Sequence, residues 1–253
     1  MSDRAEILRQ LIELSHELGR IENDLVILGE GNTSARASET TFLVKASGAN
    51  LATIDASGLV ECHFEPLLNL LAGPPLDDAS VEATLMDCRV DRAAKKPSVE
   101  AVFHAQLLSL PGVSFVGHTH PTSVNAVLCS ESVEAFAVER RFPDEIVCCG
   151  TRSVVVPYVD PGVHLARAIA DATGQFMQSD GAPPRVILLT NHGLIAPAAS
   201  PGGVLAATLM AAKAARIFMG ARSMGRVVPM PTDQVTRISD RPDEHYRRRQ
   251  LKM

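Results

Sequence analysis

Two histidines one residue apart, His118 and His120, stand in "FVGHTHPTSV", residues 115–124. The stretch reads as a buried strand running into a loop, and on a strand residues two apart project to the same face. Both rings can therefore aim at one point, and neutral imidazole is a good ligand for zinc and similar divalent ions. Taken alone, the pair fits equally well as two strand-end histidines hydrogen-bonded to neighbours, because a catalytic zinc needs a third ligand. His192 is a candidate third. It lies in "TNHG" at the end of the apolar run "VILLT", where Gly193 lets the backbone turn sharply and frees space around the ring. Its other reading is a turn histidine that caps a hairpin, and its separation from the pair is too long for spacing to unite them.

Glu100, in "KKPSVEAVFHA", falls in the first turn of an expected helix. Acidic residues are common there because they complement the helix dipole. At a metal site the same carboxylate can meet the ion or move a proton beside it. His104 follows one turn later on the same face and reads as a packing or supporting residue. "GEGNTSAR", "KASGAN" and the helix start at Ser98 each combine backbone N–H groups with small hydroxyl or amide side chains, the usual way to cradle a phosphate. None matches a Walker or dinucleotide fingerprint. No Ser-His-Asp arrangement or nucleophile elbow is present. Lys45 can in principle form a Schiff base, but its flanks give no reason for a lowered pKa.

The elements that must position these residues alternate. Residues 3–19 carry Ile7, Leu8, Leu11, Ile12, Leu14 and Leu18 at helical spacing. "LGEGNTSAR" reads as a tight loop, "TTFLVKASG" and "GLVECHF" as short strands, and "EPLLNLL" as a helix. "AGPPLDDAS" is a turn-rich break. Residues 98–109 read as a helix capped by Ser98, followed by the strand "VSFVGHTH" and a helix with Pro121 in its first turn. "SVVVPYV" is a strand, "GVHLARAIADAT" a helix, and "RVILLTNHGLIAPA" a strand pair joined at Asn191-His192-Gly193. The Ala-rich "GGVLAATLMAAKAARIFMGA" is a long helix, and the last thirty or so residues show little periodicity. Interleaved strands and helices indicate one α/β layered domain, with an antiparallel part at the "NHG" hairpin.

Composition narrows the function classes. A net charge of −5 gives no reason to expect nucleic acid as a partner. No apolar run approaches a membrane span, and the charged N-terminus lacks the apolar centre of a signal peptide, so a cytoplasmic location is expected. The five cysteines (Cys62, Cys88, Cys129, Cys148, Cys149) are odd in number and lack C-x-x-C spacing, which suits reduced thiols rather than metal thiolates.

In order, "GEGNTSAR", "VKASGANL", "KPSVE", "GHTHPTSV" and "TNHG" make the chain resemble the class II aldolase/adducin family over about residues 25–220. The family is typified by the fuculose-phosphate and rhamnulose-phosphate aldolases. The resemblance implies a three-layer α/β/α domain around a mostly antiparallel central sheet. It assigns residues 1–225 to that domain and 226–253 to a C-terminal tail able to reach a neighbouring subunit. It implies zinc, or another divalent ion such as manganese or cobalt, bound by His118, His120 and His192, with Glu100 meeting the metal and acting as acid/base. Asn32, Ser47, Gly48 and Ser98 match positions that hold the substrate phosphate. Some members carry a second serine at the helix start; here Val99 follows Ser98. A family tyrosine that protonates the aldehyde comes from a neighbouring chain, and Tyr246 is its counterpart here. Homotetramers are the expected assembly.

The expected reaction is reversible aldol cleavage of a phosphorylated ketose to a ketone phosphate and an aldehyde. The metal would act as Lewis acid and Glu100 would shuttle the proton. Decarboxylation or epimerisation of a related 3-oxo acid or sugar phosphate would use the same site. The alternative outside enzymes is a non-catalytic adducin-like scaffold. The histidine trio with Glu100 argues against it, because a scaffold has no need of them together.

Overall fold

A computed structural model of the chain describes residues 4–74 and 76–244. Helix α1 (Arg4–Gly19) buries Ile7, Leu11, Leu14 and Leu18 along one side, as its spacing predicts. Strands β1 (Asn32–Arg36), β2 (Thr41–Lys45) and β3 (Leu59–His63) follow, then helices α2 (Phe64–Ala72), α3 (Asp78–Asp87) and α4 (Ala101–Leu108). Strand β4 (Phe115–Thr119) leads to α5 (Thr122–Leu128), α6 (Val133–Val138) and α7 (Pro143–Cys149). Strand β5 (Val154–Val156), α8 (Val163–Asp180), the hairpin β6 (Ile187–Leu189) and β7 (Gly193–Ala198), α9 (Pro201–Met224) and α10 (Thr232–Asp240) complete the order.

The strands form one seven-stranded sheet in the order β3-β2-β1-β4-β7-β6-β5. Every pairing is antiparallel except β5 with β6. Alternation along the strands divides the apolar residues between two cores. Phe42, Val44, Val116 and Ile195 meet Leu67 of α2, Phe103 of α4 and Ile169 of α8. Leu43, Phe115, Leu194 and Ala196 meet Leu11 of α1, Val124 of α5 and Val204 of α9. The result is the expected three-layer arrangement around a mostly antiparallel sheet. Gly117 lets α1 and α9 lie close to β4, since a Cβ there would stand 2.6 Å from Val204 Cγ1.

Several elements differ from the sequence reading. "NTSAR" is not part of a loop but an inner strand of the sheet. Its middle residues Thr33 and Ser34 are fully buried, and small polar side chains carry no apolar alternation to reveal a strand. They are satisfied across the two faces: Thr33 Oγ1 lies 2.6 Å from Ser15 Oγ on α1, and Ser34 Oγ lies 2.6 Å from His104 Nδ1 on α4. The supposed break near residue 75 runs into α3, capped by Asp77, whose carboxylate accepts from Ser80 N at 2.8 Å. Helix α4 begins at Ala101 rather than at Ser98. The aperiodic C-terminal stretch contains α10, which buries Val235 and packs on α7.

Helix α9 is long and apolar enough, by length and composition, to cross a membrane, contrary to the expectation that no such run exists. In this fold it lies against β4, β7, α1, α5 and α7. Its alanines let it seat closely there, and Ala207, Ala211, Ala212, Ala214 and Ala215 are buried.

Candidate metal centre

The site forms where β4 ends beside the β6–β7 hairpin. His118 pairs with Ile195 of β7 on one side and Asn32 of β1 on the other. It lies on the same strand face as Val116 and so points toward α4. His120 follows the strand end, its backbone N–H bonded to Leu25 O at 2.8 Å. His192 occupies the hairpin turn; its N–H donates to Leu189 O at 3.0 Å and its carbonyl accepts from Asn125 Nδ2 at 3.0 Å. The sharp turn is made by Asn191, at φ 56°. Gly193 contributes its lack of a side chain instead, since a Cβ there would meet His120 Cδ2 at 2.6 Å. One ring nitrogen from each histidine lies within 4.8 Å of the others.

Hydrogen bonding selects the nitrogens that face inward. His118 Nδ1 is 3.0 Å from Leu194 O. A carbonyl only accepts, so Nδ1 carries the proton and Nε2 presents its lone pair. His120 Nε2 is 3.0 Å from that atom. The Glu100 carboxylate spans the trio, with Oε2 3.6 Å from His118 Nε2 and Oε1 3.6 Å from His192 Nε2. Glu30 Oε2 stands 3.9 Å from the other nitrogen of His120. Burial, with His192 nearby, pushes His118 down to about 3. Burial and the two neighbouring rings push His120 down to about 4. Both are therefore neutral at neutral pH, the form that binds metals.

The buried polar atoms without a hydrogen-bond partner among the described residues include Glu100 Oε1 and His192 Nδ1. Three converging imidazoles beside a carboxylate suit a divalent ion such as zinc, manganese or cobalt. No cysteine joins the cluster.

Of the other sequence-selected residues, Asn32 and Ser98 adjoin this centre through Glu100. Asn32 Nδ2 donates to Glu100 Oε2 at 2.6 Å and lies 3.4 Å from Ser98 Oγ. Asn32 Oδ1 is hydrogen-bonded to His104 Nε2. Ser98 does not cap α4; its hydroxyl accepts from Glu100 N at 3.3 Å in the preceding turn. The backbone N–H groups of Ser47 and Ser98 are occupied by Lys96 O at 2.9 Å and Lys45 O at 3.0 Å. These two amides are therefore not open to an anion. Ser47 and Gly48 are exposed, and Gly48 takes φ 76°. Tyr246 lies outside the described residues, and the exposed Tyr158 donates to Asp160 at 3.1 Å.

Lys45 corrects the sequence reading. Burial pushes its amine down to about 8, with Glu100 opposing. Its Nζ donates at 2.7 Å to both Gly29 O and Ala49 O. It thus ties "GEGN" to "SGAN" from beneath. The local sequence gave no hint of this, because the burial comes from loops folding over the side chain. Glu30 is a further site neighbour that the sequence does not single out; its place beside Gly31-Asn32 brings it to His120.

Residues 9–219 match the Class II Aldolase and Adducin N-terminal domain family. The chain belongs to this family. Class II aldolases depend on a divalent metal, and the histidine trio offers a place for one. The chain is 27% identical over 201 residues to the uncharacterized oxidoreductase YuxG of Bacillus subtilis (strain 168), a match covering 76% of this chain and 27% of that protein. It is 27% identical over 187 residues to the 3-oxo-tetronate 4-phosphate decarboxylase of Haemophilus influenzae, covering 72% of this chain and 74% of that one. Among solved structures, an L-fuculose 1-phosphate aldolase shares the fold with a TM-score of 0.70 at 20% identity, over 93% of this chain and 95% of the other.

Proposed function

We propose that this class II aldolase relative is a metal-dependent carbon–carbon lyase that reversibly cleaves a phosphorylated ketose to a ketone phosphate and an aldehyde. The observation that carries the reading is the convergence of three imidazoles on one point with Glu100 within 3.6 Å of two of them. His118, His120 and His192 would hold a divalent ion, zinc in the first instance, which supplies a Lewis acid for a carbonyl and its adjacent hydroxyl. Glu100 takes and returns the proton at the carbon beside that carbonyl. Asn32 donates to this carboxylate and fixes its orientation. The hydroxyls of Ser47 and Ser98, with Gly48, hold the phosphate at the mouth and so orient the reacting end. The Lys45 ammonium beneath the loops adds positive charge to that anion site. Tyr246 from a neighbouring copy in a homotetramer would take the hydroxyl proton as the aldehyde departs and return it to the aldehyde oxygen in the reverse, condensing direction. A cytoplasmic location suits the phosphorylated substrate.

A second reading is decarboxylation of a 3-oxo acid phosphate, favoured by the relative that bears such a name. Either reaction breaks a bond to the same kind of carbon beside a carbonyl, so the same residues serve. The test is an assay of the purified chain with sugar phosphates and 3-oxo acid phosphates, loaded in turn with zinc, manganese and cobalt. Aldehyde release supports the aldolase, and carbon dioxide release the decarboxylase. A protein that takes up no divalent ion and turns over neither class is an adducin-like scaffold.

A further inference from the structure

We propose that His104 is a positioning residue for Glu100, acting through Asn32 as a neutral ring protonated on Nε2. The inference rests on the reading of Glu100 as the proton-moving group. It comes from two interlocked pairs. Glu100 and His104 are one turn apart at the start of α4, with His104 N donating to Glu100 O at 3.3 Å. Asn32 and Ser34 are alternate residues on β1 and face the same helix. The four side chains zigzag between the elements in the order Glu100, Asn32, His104, Ser34.

Each proton in this chain is assigned by the one before it. An ionised carboxylate only accepts, so the amide NH₂ of Asn32 faces Glu100 Oε2, at 2.6 Å. The amide oxygen must then face His104, and it too only accepts, which places the imidazole proton on Nε2. Burial keeps the ring neutral. Nδ1 is therefore a lone pair, and it accepts from the Ser34 hydroxyl at 2.6 Å. His104 and Ser34 are 0% exposed and Asn32 3%, so solvent cannot replace a missing partner. Without an N–H at this position the Asn32 amide is free to turn over. Its oxygen would then oppose Glu100, and the carboxylate would lose the donor that aims it between His118 and His192. A residue that merely filled space would exert no such control.

The test uses the full, metal-free chain labelled with ¹⁵N-histidine. Long-range proton–nitrogen NMR reads which ring nitrogen of His104 is protonated. Nε2–H is expected; an Nδ1–H ring or an imidazolium at neutral pH would overturn the proposal. Zinc titration by calorimetry then compares His104→Leu, His104→Gln, Glu100→Gln and the double variant Glu100→Gln/His104→Leu. His104→Leu should weaken zinc binding about 10- to 100-fold. His104→Gln, which restores an N–H near the ε position, should recover most of that loss. In the Glu100→Gln background the leucine should add no more than about twofold. Full additivity, or glutamine as weak as leucine, would sink the idea. If the leucine variant does not fold, the tautomer alone decides. None of these readouts needs turnover: a wild type that cleaves no substrate overturns the proposed function and leaves this result standing.

Discussion

Gly193 lies so close to His120 that a Cβ on the glycine would stand 2.6 Å from the ring's Cδ2 and 2.6 Å from Thr119 O. One contact is with a candidate ligand and the other with backbone that cannot yield. Gly193→Ala should therefore displace His120 and cost roughly 1–3 kcal/mol of stability through overpacking. Zinc titration and urea unfolding of the same preparation check this. Wild-type affinity together with wild-type stability would contradict the geometry.

Glu100→Gln keeps the shape and the histidine trio but removes the base. The variant should still load zinc at one ion per chain, while kcat on the responsive substrate falls by about 10²–10⁴-fold. Elemental analysis and steady-state assay read the two quantities separately. Full activity would remove Glu100 from the chemistry.

The buried rings make the metal-free protein acid-sensitive. His118 is held down to about 3 and His120 to about 4, mainly by burial. The same rings titrate near about 6.5 when unfolded. Between these limits the unfolded chain binds protons that the folded chain refuses. Their contribution to stability is thus full above about pH 6.5 and is lost as pH falls toward 4 and then 3, by a few kcal/mol in total. Urea midpoints from about pH 7.5 down to 4.5 should decline, and His118→Asn should decline less steeply. Parallel curves would remove His118 as a cause.

Lys45 is another base held below its ordinary value by burial, with the same sign of pH dependence in a higher window. Its folded value of about 8 lies below its unfolded value, so the unfolded chain holds the extra proton and stability rises from about pH 8 to 10.5. Lys45→Met removes that slope and leaves Gly29 O and Ala49 O without their donor. A loss of about 1–3 kcal/mol at neutral pH is expected. Weaker competition by inorganic phosphate against substrate should accompany it.

The parts of this molecule that were legible in its sequence are those whose signal is periodic. Alternate residues placed His118 and His120 on one face, and apolar alternation exposed β2, β4 and β7. The Asn-His-Gly turn revealed the β6–β7 hairpin. Strand β1 was hidden because Thr33 and Ser34 are buried by hydrogen bonds rather than by apolar contact. Asn32 consequently looks like a loop residue in the sequence, whereas a strand holds it opposite His118. The tie made by Lys45 depends on two loops distant in sequence, and no local pattern encodes that. The same holds for α10, whose buried Val235 gains its meaning only from α7.

The polar strand β1 also bears on how the protein reaches its native state. Shifting β1 by one residue would turn Asn32 and Ser34 away from α4 and leave His104 and Glu100 without partners. Such a slipped sheet would strand buried polar groups on both faces at once. Misregistered forms are thus penalised most heavily at the place where the chemistry is assembled. Correct alignment of β1 against β4, which must wait for some eighty intervening residues to be made, and the organisation of the site become one cooperative event. Amide exchange at β1 should accordingly proceed only through global unfolding, with no partly opened form in which the sheet persists and the centre is lost.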